Sequence, residues 1–298
     1  MLGPTASGKS SVAVSLATKL NGEIISADSR QVYRGLNIGT GKITQKEMRG
    51  VRHHLLDVAL PKKIYSAADY LSDGSKALES ILKRGKLPII CGGTGFYIDA
   101  LMGRVSLPHV APNNKLRIAL SKKSAAELFK KLEKIDPTRA KTIDRYNPVR
   151  LIRALEIAAA QSHPKPQKDA LRVAQEKRAL RMVDFSIIWV GLAVETELLQ
   201  KKIHNRLVAR IKGGLIKEVK LLHEKGLSWL RMNSLGLEYR YVAAYLQKKI
   251  TKEEMMVELE LKIWQYAKRQ RTYWRRNKDI LWLSNSEVLS KEFLSKFI

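Results

Sequence analysis

The opening residues place two glycines, Gly3 and Gly8, around Pro4, Thr5, Ala6 and Ser7, and follow them directly with Lys9 and Ser10. Glycines at that separation let a loop curl until its amides face one centre, and a following helix aims its positive end at the same point. The stretch therefore reads as a cradle for phosphate groups. Lys9 adds a mobile cation, and the Ser10 hydroxyl suits magnesium, the cofactor this loop implies. Asp28 closes a short apolar run that begins at Glu23. A carboxylate at the end of a strand, near a phosphate loop, suits a general base or a magnesium partner, although a helix cap uses the same residue type. Gly92-Gly93-Thr94-Gly95 repeats the pattern of strand, glycine turn and helix, and would put the Thr94 hydroxyl at the same sheet edge. The glycine-punctuated stretch Gly35–Lys42 reads as a loop able to reach the site. His53 and His54 with Asp57 do not make a convincing metal centre, because adjacent histidines do not share a helical face and no third ligand cluster stands nearby.

These groups can meet only if strands and helices deliver them to one edge of a sheet. The apolar spacing of Val12, Val14, Leu16, Ala17 and Leu20 predicts a helix behind the first loop, ending at Asn21-Gly22. Strands are expected before Asp28, at Leu87–Cys91 and at Phe185–Val190. A loop of this kind normally follows a buried central strand, and here only Met1 and Leu2 precede it. The expectation is that this strand is missing or nearly so, either because the recorded start lies inside a longer coding region or because another segment fills its place. Pro108 and Pro112 mark the entry to an inserted segment. The stretch Ser162–Lys168, followed by a basic helix through Arg181, leads back to the core.

The 298 residues are 45% hydrophobic and 28% charged, enough apolar side chain for a real core in one or two domains. No run approaches the roughly eighteen apolar residues of a membrane span, and no leader pattern opens the chain, so a cytoplasmic protein with no membrane contact is expected. One cysteine, Cys91, excludes an internal disulfide and a cysteine-rich zinc site. Lys and Arg number 55 against 28 Asp and Glu, a net charge of +27. The excess is spread as +7 over residues 1–110, +10 over 111–190 and +10 over 191–298. That distribution describes a broad basic surface, suited to a polyanionic partner, rather than a basic tail.

The blocks GPTASGKS, SADSRQVY, IGTGK, HHLLD and GGTGFY, in this order and spacing, closely resemble the tRNA dimethylallyltransferase (tRNA isopentenyltransferase) family. Asp136-Pro137 with Asp144, Asn147, Arg150 and Arg153–Glu156 is similar to a second block of that family. Arg206 with Gly214-Leu215 and Glu218-Val219 is similar to a third, and Tyr266–Arg275 to its C-terminal signature. The resemblance covers essentially the whole chain and implies an α/β fold: a P-loop core with a parallel sheet over residues 1–110 and 186–298, interrupted by a helical insertion domain over 111–185 that contacts tRNA. It further implies transfer of a dimethylallyl group from dimethylallyl diphosphate to the exocyclic amine of the adenosine 3′ to the anticodon, in tRNAs reading codons that begin with U. Diphosphate held over Gly3, Pro4, Thr5, Ala6, Ser7, Gly8, Lys9 and Ser10 is released, with Ser10 on magnesium.

By the same resemblance Asp28 accepts the amine proton, Thr94 positions the reacting ends and Arg206 completes neutralisation of the diphosphate. The anticodon stem-loop would be met by Asp28, Ser29, Arg30 and Gln31, by Val149, Arg150, Leu151, Ile152 and Arg153, and by Lys268, Arg269, Gln270, Arg271, Thr272, Tyr273, Trp274 and Arg275. A monomer is expected to suffice. The chain departs from the family at Thr196 and Lys202, where relatives usually carry arginine, and at Tyr273, where they usually carry tryptophan. Two other classes share part of the pattern. A P-loop kinase acting on a small metabolite with ATP would need the loop, magnesium and Asp28 but not the distal basic blocks. An ATP-dependent RNA-binding protein would need the charge but not the GGTG turn.

Overall fold

In the computed structural model, residues 1–108, 110–161 and 186–297 are described. The chain divides into two units, Met1–Val105 with Ala179–Ile298, and Ser106–Arg178. The basic helix expected through Arg181, and Phe185 at the start of the expected third strand, lie outside the described residues.

The first unit is built on parallel strands. β1 (Gly22–Ser26) pairs in parallel with β2 (His53–His54) on one side and with β3 (Leu87–Cys91) on the other. β4 (Trp189–Leu192), displaced toward the C-terminus from its expected position, pairs in parallel with β5 (Ile280–Leu283). Met1 and Leu2 join the two groups. The Met1 amino group donates to the Ile90 carbonyl at 2.8 Å and the Gly92 amide donates to the Met1 carbonyl at 3.3 Å. On the far side the Leu2 amide donates to Val190 O at 2.8 Å and the Leu192 amide donates to Leu2 O at 2.9 Å. The central strand is thus present as two residues, the nearly absent form of the expectation; it is neither lost outright nor replaced by another segment. A two-residue strand suffices because hydrogen-bonded neighbours lie on both sides of it and Leu2 is buried with Ile25, Trp189 and Trp274.

β1 and β4 are buried along their whole length, as expected for strands of a parallel sheet with covered faces, whereas β5 exposes Leu281 and Trp282. The Lys9–Lys19 helix buries Val12, Ala13, Val14, Leu16 and Ala17. The Ala67–Lys83 helix, opened by a capping box between Ser66 and Asp69, buries Tyr70, Ala77, Leu78 and Ile81. A second cluster gathers Val32, Tyr33 and Leu36 with Leu215, Val219, Leu235, Tyr239 and Met255. The longest helix, Lys252–Trp274, buries Leu259, Ile263, Ala267, Gln270 and Trp274 along a face with helical spacing. Among the described residues no helix is long and apolar enough to cross a membrane.

The second unit is helical where described: Asn114–Ser121, Ala125–Ile135, Pro137–Ala140 and Pro148–Gln161 pack around Leu120, Leu128, Leu132, Leu151, Ala154 and Leu155. Glu156 is buried in this unit and bound by Arg117, the Asn113 amide and Arg153. Burial alone would raise its carboxyl, yet those donors hold it at about 2.

Trp274 is 1% exposed and packs with Trp189, Leu2 and Ile280. Trp274→Ala should therefore lower unfolding free energy by about 3–5 kcal/mol. Arg275→Ala on the exposed neighbour should change it by no more than about 0.5 kcal/mol. Urea denaturation of both variants checks this, and equal small losses would remove Trp274 from the core.

Candidate active site

The chain leaves Leu2 at the carboxyl edge of the sheet and turns at once. Gly3 (φ 141°) and Gly8 (φ 93°) take up conformations open to glycine, and Ala6 (φ 64°) is held in the left-handed region without that freedom. A non-glycine residue there is strained, a condition found where a loop is shaped for a ligand. Gly8 caps the Lys9–Lys19 helix, so the first helical amides and the positive end of the helix dipole face outward from the loop. Lys9 Nζ donates to Pro4 O at 2.6 Å across the loop. Burial pushes the Lys9 ammonium down to about 8, Arg206 pushes in the same direction, and Asp28 opposes them. Arg206, from the Thr196–Lys212 helix, donates to Thr5 Oγ1 at 2.5 Å. Burial, and Arg210 beside it, lower the Arg206 guanidinium to about 10. Ser7 is fully buried, and its hydroxyl has no hydrogen-bond partner among the described residues.

The strands beside the loop bring the carboxylate and the threonine. Asp28 follows β1, and its Oδ1 accepts the amides of Arg30 at 2.8 Å and Gln31 at 3.3 Å. That local turn fixes the carboxylate and leaves Oδ2 for an outside partner. Thr94 ends the turn after β3; its amide donates to Ala27 O at 3.0 Å, and its Oγ1 accepts the Ser29 amide at 3.0 Å. With that amide on one of its two lone pairs, the Thr94 hydroxyl can turn its proton toward an outside acceptor. Gly92 is required here, since a Cβ would lie 2.1 Å from Ala27 O. The expected catalytic residues therefore converge, with Asp28 and Arg206 both acting on Lys9 and Thr94 tied to the residue that follows Asp28.

Sequence reasoning missed how the Gly35–Lys42 loop is held. Glu218, quoted only as part of a motif, accepts the amides of Asn37, Ile38 and Gly39 at 3.0, 2.7 and 3.0 Å and the Tyr239 hydroxyl at 2.8 Å. Gln31 donates to Gly41 O at 3.2 Å, and Lys42 pairs with Asp57 at 2.5 Å. A cavity of about 530 Å³ is lined by Ser10, Gly41, Arg49, Arg206 and Arg210, so the loop does border the phosphate-loop mouth. His54 Nε2 lies 2.6 Å from Glu23 Oε2 and His53 Nδ1 lies 2.9 Å from Val51 O. Among the described residues no group of three or more His, Cys, Asp or Glu could hold a metal ion. Ser10, exposed at the start of its helix, is a single hard oxygen donor. That fits magnesium, which takes few protein ligands and completes its shell with phosphate oxygens and water.

The model of the IPP transferase family matches residues 31–277. The chain belongs to the IPP transferase family. It is 44% identical over 93% of its length to tRNA dimethylallyltransferase 2 of Treponema denticola, covering 90% of that protein. It is 40% identical over 99% of its length to the tRNA dimethylallyltransferase of Pelotomaculum thermopropionicum, covering 93% of that protein. The crystal structure of the full-length tRNA isopentenylpyrophosphate transferase of Bacillus halodurans is similar at TM-score 0.71 and 32% identity, over 99% of this chain and 96% of that one.

In this IPP transferase the residues expected to meet tRNA fall into two groups. Val149 and Arg150 are exposed on the Pro148–Gln161 helix, and Lys268, Arg269, Thr272 and Arg275 are exposed on or just after the Lys252–Trp274 helix. Lys268 lies over the Trp264 ring and Arg269 over the Tyr266 ring. Six others are placed elsewhere. Leu151 is fully buried, and Ile152 packs against the same core. Arg153 is engaged by Glu156 and by Val110 O. Arg271 donates to Val194 O and to Thr196 Oγ1, the latter where relatives usually carry arginine. Trp274 is core, and Gln270, 6% exposed, faces the phosphate loop. The reason is common to all six: a motif in a helix spans every face, and only some point outward. Tyr146, 76% exposed with Arg145 against its ring, is a candidate for RNA stacking that sequence reasoning passed over.

Lys9 supplies a pH test. Because its pKa falls from 10.5 to about 8 on folding, the unfolded chain holds a proton that the folded one lacks between those values, and this group's contribution to stability rises across that window. An anion favours the charged lysine, so affinity for inorganic diphosphate should decline above pH 8, by up to about tenfold per unit. Calorimetric titration from pH 7 to 9.5 should show this decline superimposed on that of the ligand itself, and Lys9→Met should lose it. Identical slopes in the two proteins would remove Lys9 from the anion site.

Proposed function

We propose that this protein transfers a dimethylallyl group from dimethylallyl diphosphate to the exocyclic amine of an adenosine in tRNA, the one 3′ to the anticodon in tRNAs that read codons beginning with U. The observation that carries the reading is the convergence of two half-buried cations, Lys9 and Arg206, at the mouth of a strained glycine loop, beside a carboxylate fixed by two amides and the Thr94 hydroxyl. Support comes also from the relatives, which bear the name of this transferase over nearly the whole chain.

The diphosphate lies over the loop, where the helix dipole, Lys9 and Arg206 oppose its charge. As the allylic C–O bond loosens, its electron pair passes to the diphosphate oxygen, and the Thr94 hydroxyl donates a hydrogen bond to that leaving group. The adenine amine forms the new C–N bond on the allylic carbon. Its proton passes to Asp28 Oδ2, which suits a weak nucleophile that becomes acidic only as the bond forms. Magnesium, held by the Ser10 hydroxyl and diphosphate oxygens, would add positive charge against the leaving group. The adenine must leave the anticodon stack to reach this edge of the sheet, and Ser29, Arg30 and Gln31 border the place it enters. A kinase would share the loop and Asp28 but has no use for the exposed Lys268, Arg269 and Arg275 row.

Purified protein incubated with unmodified tRNA and labelled dimethylallyl diphosphate should label the tRNA, whereas ATP consumption without label would favour the kinase. Asp28→Asn should reduce transfer by about 100-fold or more, with tRNA affinity kept within a few fold; wild-type turnover would take Asp28 out of the base role. Arg150→Ala should weaken tRNA binding and flatten the slope of log affinity against log salt by about one. Arg153→Ala should leave that slope unchanged and instead lower thermal stability, because it strips a donor from buried Glu156.

A further inference from the structure

The Gln270 side chain touches both halves of the site at once. Its Oε1 accepts the Thr5 amide of the phosphate loop at 2.7 Å, and its Nε2 donates to Gly93 O, next to Thr94, at 2.8 Å. The group is buried at 6% exposure, so both bonds are sheltered from water. Thr5 is pinned on its other side by Arg206, through Oγ1 at 2.5 Å. Thr94 in turn holds the Ser29 amide at 3.0 Å, directly after Asp28. The result is one unbroken line of contacts: Arg206, Thr5, Gln270, the Gly93-Thr94 turn, then Ser29 and Asp28.

We propose that Gln270 is a positioning residue that couples occupancy of the phosphate loop to the placement of Thr94 and, through it, Asp28. The proposal rests on the diphosphate reading of that loop. A primary amide accepts from one backbone and donates to another through a single rigid plane, which is why glutamine serves where leucine or lysine would not. Its fit is tight, since a Cβ on Gly93 would lie 2.3 Å from Nε2. One turn later the Tyr273 ring fills the space over Gly95, where a Cβ would lie 2.2 Å from the ring, and its hydroxyl donates to Asp99. Thr94 is therefore held from both sides by the same helix. A diphosphate that draws Arg206 toward itself shifts Thr5, and Gln270 carries that shift to the turn. The Thr5 amide, being given to Gln270, is not among the donors that face the ligand.

The test uses the full chain with Gln270→Met, which keeps the volume and loses both bonds, and Gln270→Glu, which keeps only the acceptor. Single-turnover transfer should fall about 100-fold in Gln270→Met, the scale of a small misplacement of reacting groups, and less in Gln270→Glu. Affinities for inorganic diphosphate and for tRNA, measured separately by calorimetry, should stay within about threefold of wild type. The double variant with Thr94→Ala should be no slower than Thr94→Ala alone, because Gln270 acts through that residue. Nitrogen-15 NMR gives a readout independent of transfer. Inorganic diphosphate should shift the Gly93, Thr94 and Gly95 amide resonances in wild type, and these shifts should vanish in Gln270→Met. Loss confined to tRNA affinity, multiplicative losses in the double variant, or equal resonance shifts in Gln270→Met would each overturn the proposal. A wild type that shows the resonance shifts but transfers nothing would instead refute the transferase reading while leaving the coupling in place.

Discussion

Leu2 exchanges backbone hydrogen bonds with Val190 and Leu192, and those bonds decide where the Gly3–Ser10 loop can be. A parallel strand offers its carboxyl end to ligands, so a chain that leaves Leu2 must turn at the functional edge with no freedom to drift. On its other side Met1 is bonded to Ile90 and Gly92 of the β3 edge, the strand that delivers Thr94. The loop and the threonine turn are thus referred to the same two residues. Neither the left-handed Ala6 nor the buried Ser7 would persist on a floating segment, because strain survives only where neighbouring structure over-determines it.

A loop fixed in this way can hold half-buried positive charge. Among the described residues Arg210 has a carboxylate partner, Glu238 at 2.7 Å, while Lys9 and Arg206 form no ion pair. Burial and mutual repulsion both disfavour their charged forms. Such a pair costs stability in the empty protein and is relieved by an anion, the arrangement expected where binding energy is directed to charge that develops on a leaving group. Hydrogen bonds to backbone groups do the remaining work of placement: Glu218 on three amides of the glycine loop, and Gln270 between the loop and the turn.

The chemistry was legible in the residues because it depends on local pattern. Glycine spacing, a carboxylate after a strand and a hydroxyl after a glycine turn each carry their meaning within ten residues. The rest depends on direction. The central strand escaped because two residues have no periodicity; its evidence is the neighbours that flank it. Gln270 and Trp274 fell among the RNA contacts because a cationic, aromatic signature marks a helix as functional without saying which face is outward. The signal was nonetheless present: Leu259, Ile263, Ala267, Gln270 and Trp274 follow one another at three- and four-residue steps, which assigns them to the buried stripe and leaves Lys268, Arg269, Thr272 and Arg275 for solvent. Leu151 and Arg153 fail in the same manner, since Leu151 sits on the apolar stripe of its helix and Arg153 serves buried Glu156. Glu218 could not be foreseen as a loop anchor, since its three partners are amides about 180 positions away.

Two kinds of positive charge follow from this division, and they obey different physics. Lys9 and Arg206 act at short range in a poorly hydrated site, where salt screens little and geometry decides the energy. The exposed lysines and arginines that make up most of the +27 act through water, where their attraction for RNA fades over about 10 Å at ordinary ionic strength. Phosphate contacts of the second kind position a nucleic acid without reading it. Under the proposed reaction, discrimination then falls to the groups around Asp28, and the surface excess is free to vary in number and place without altering the chemistry at the sheet edge.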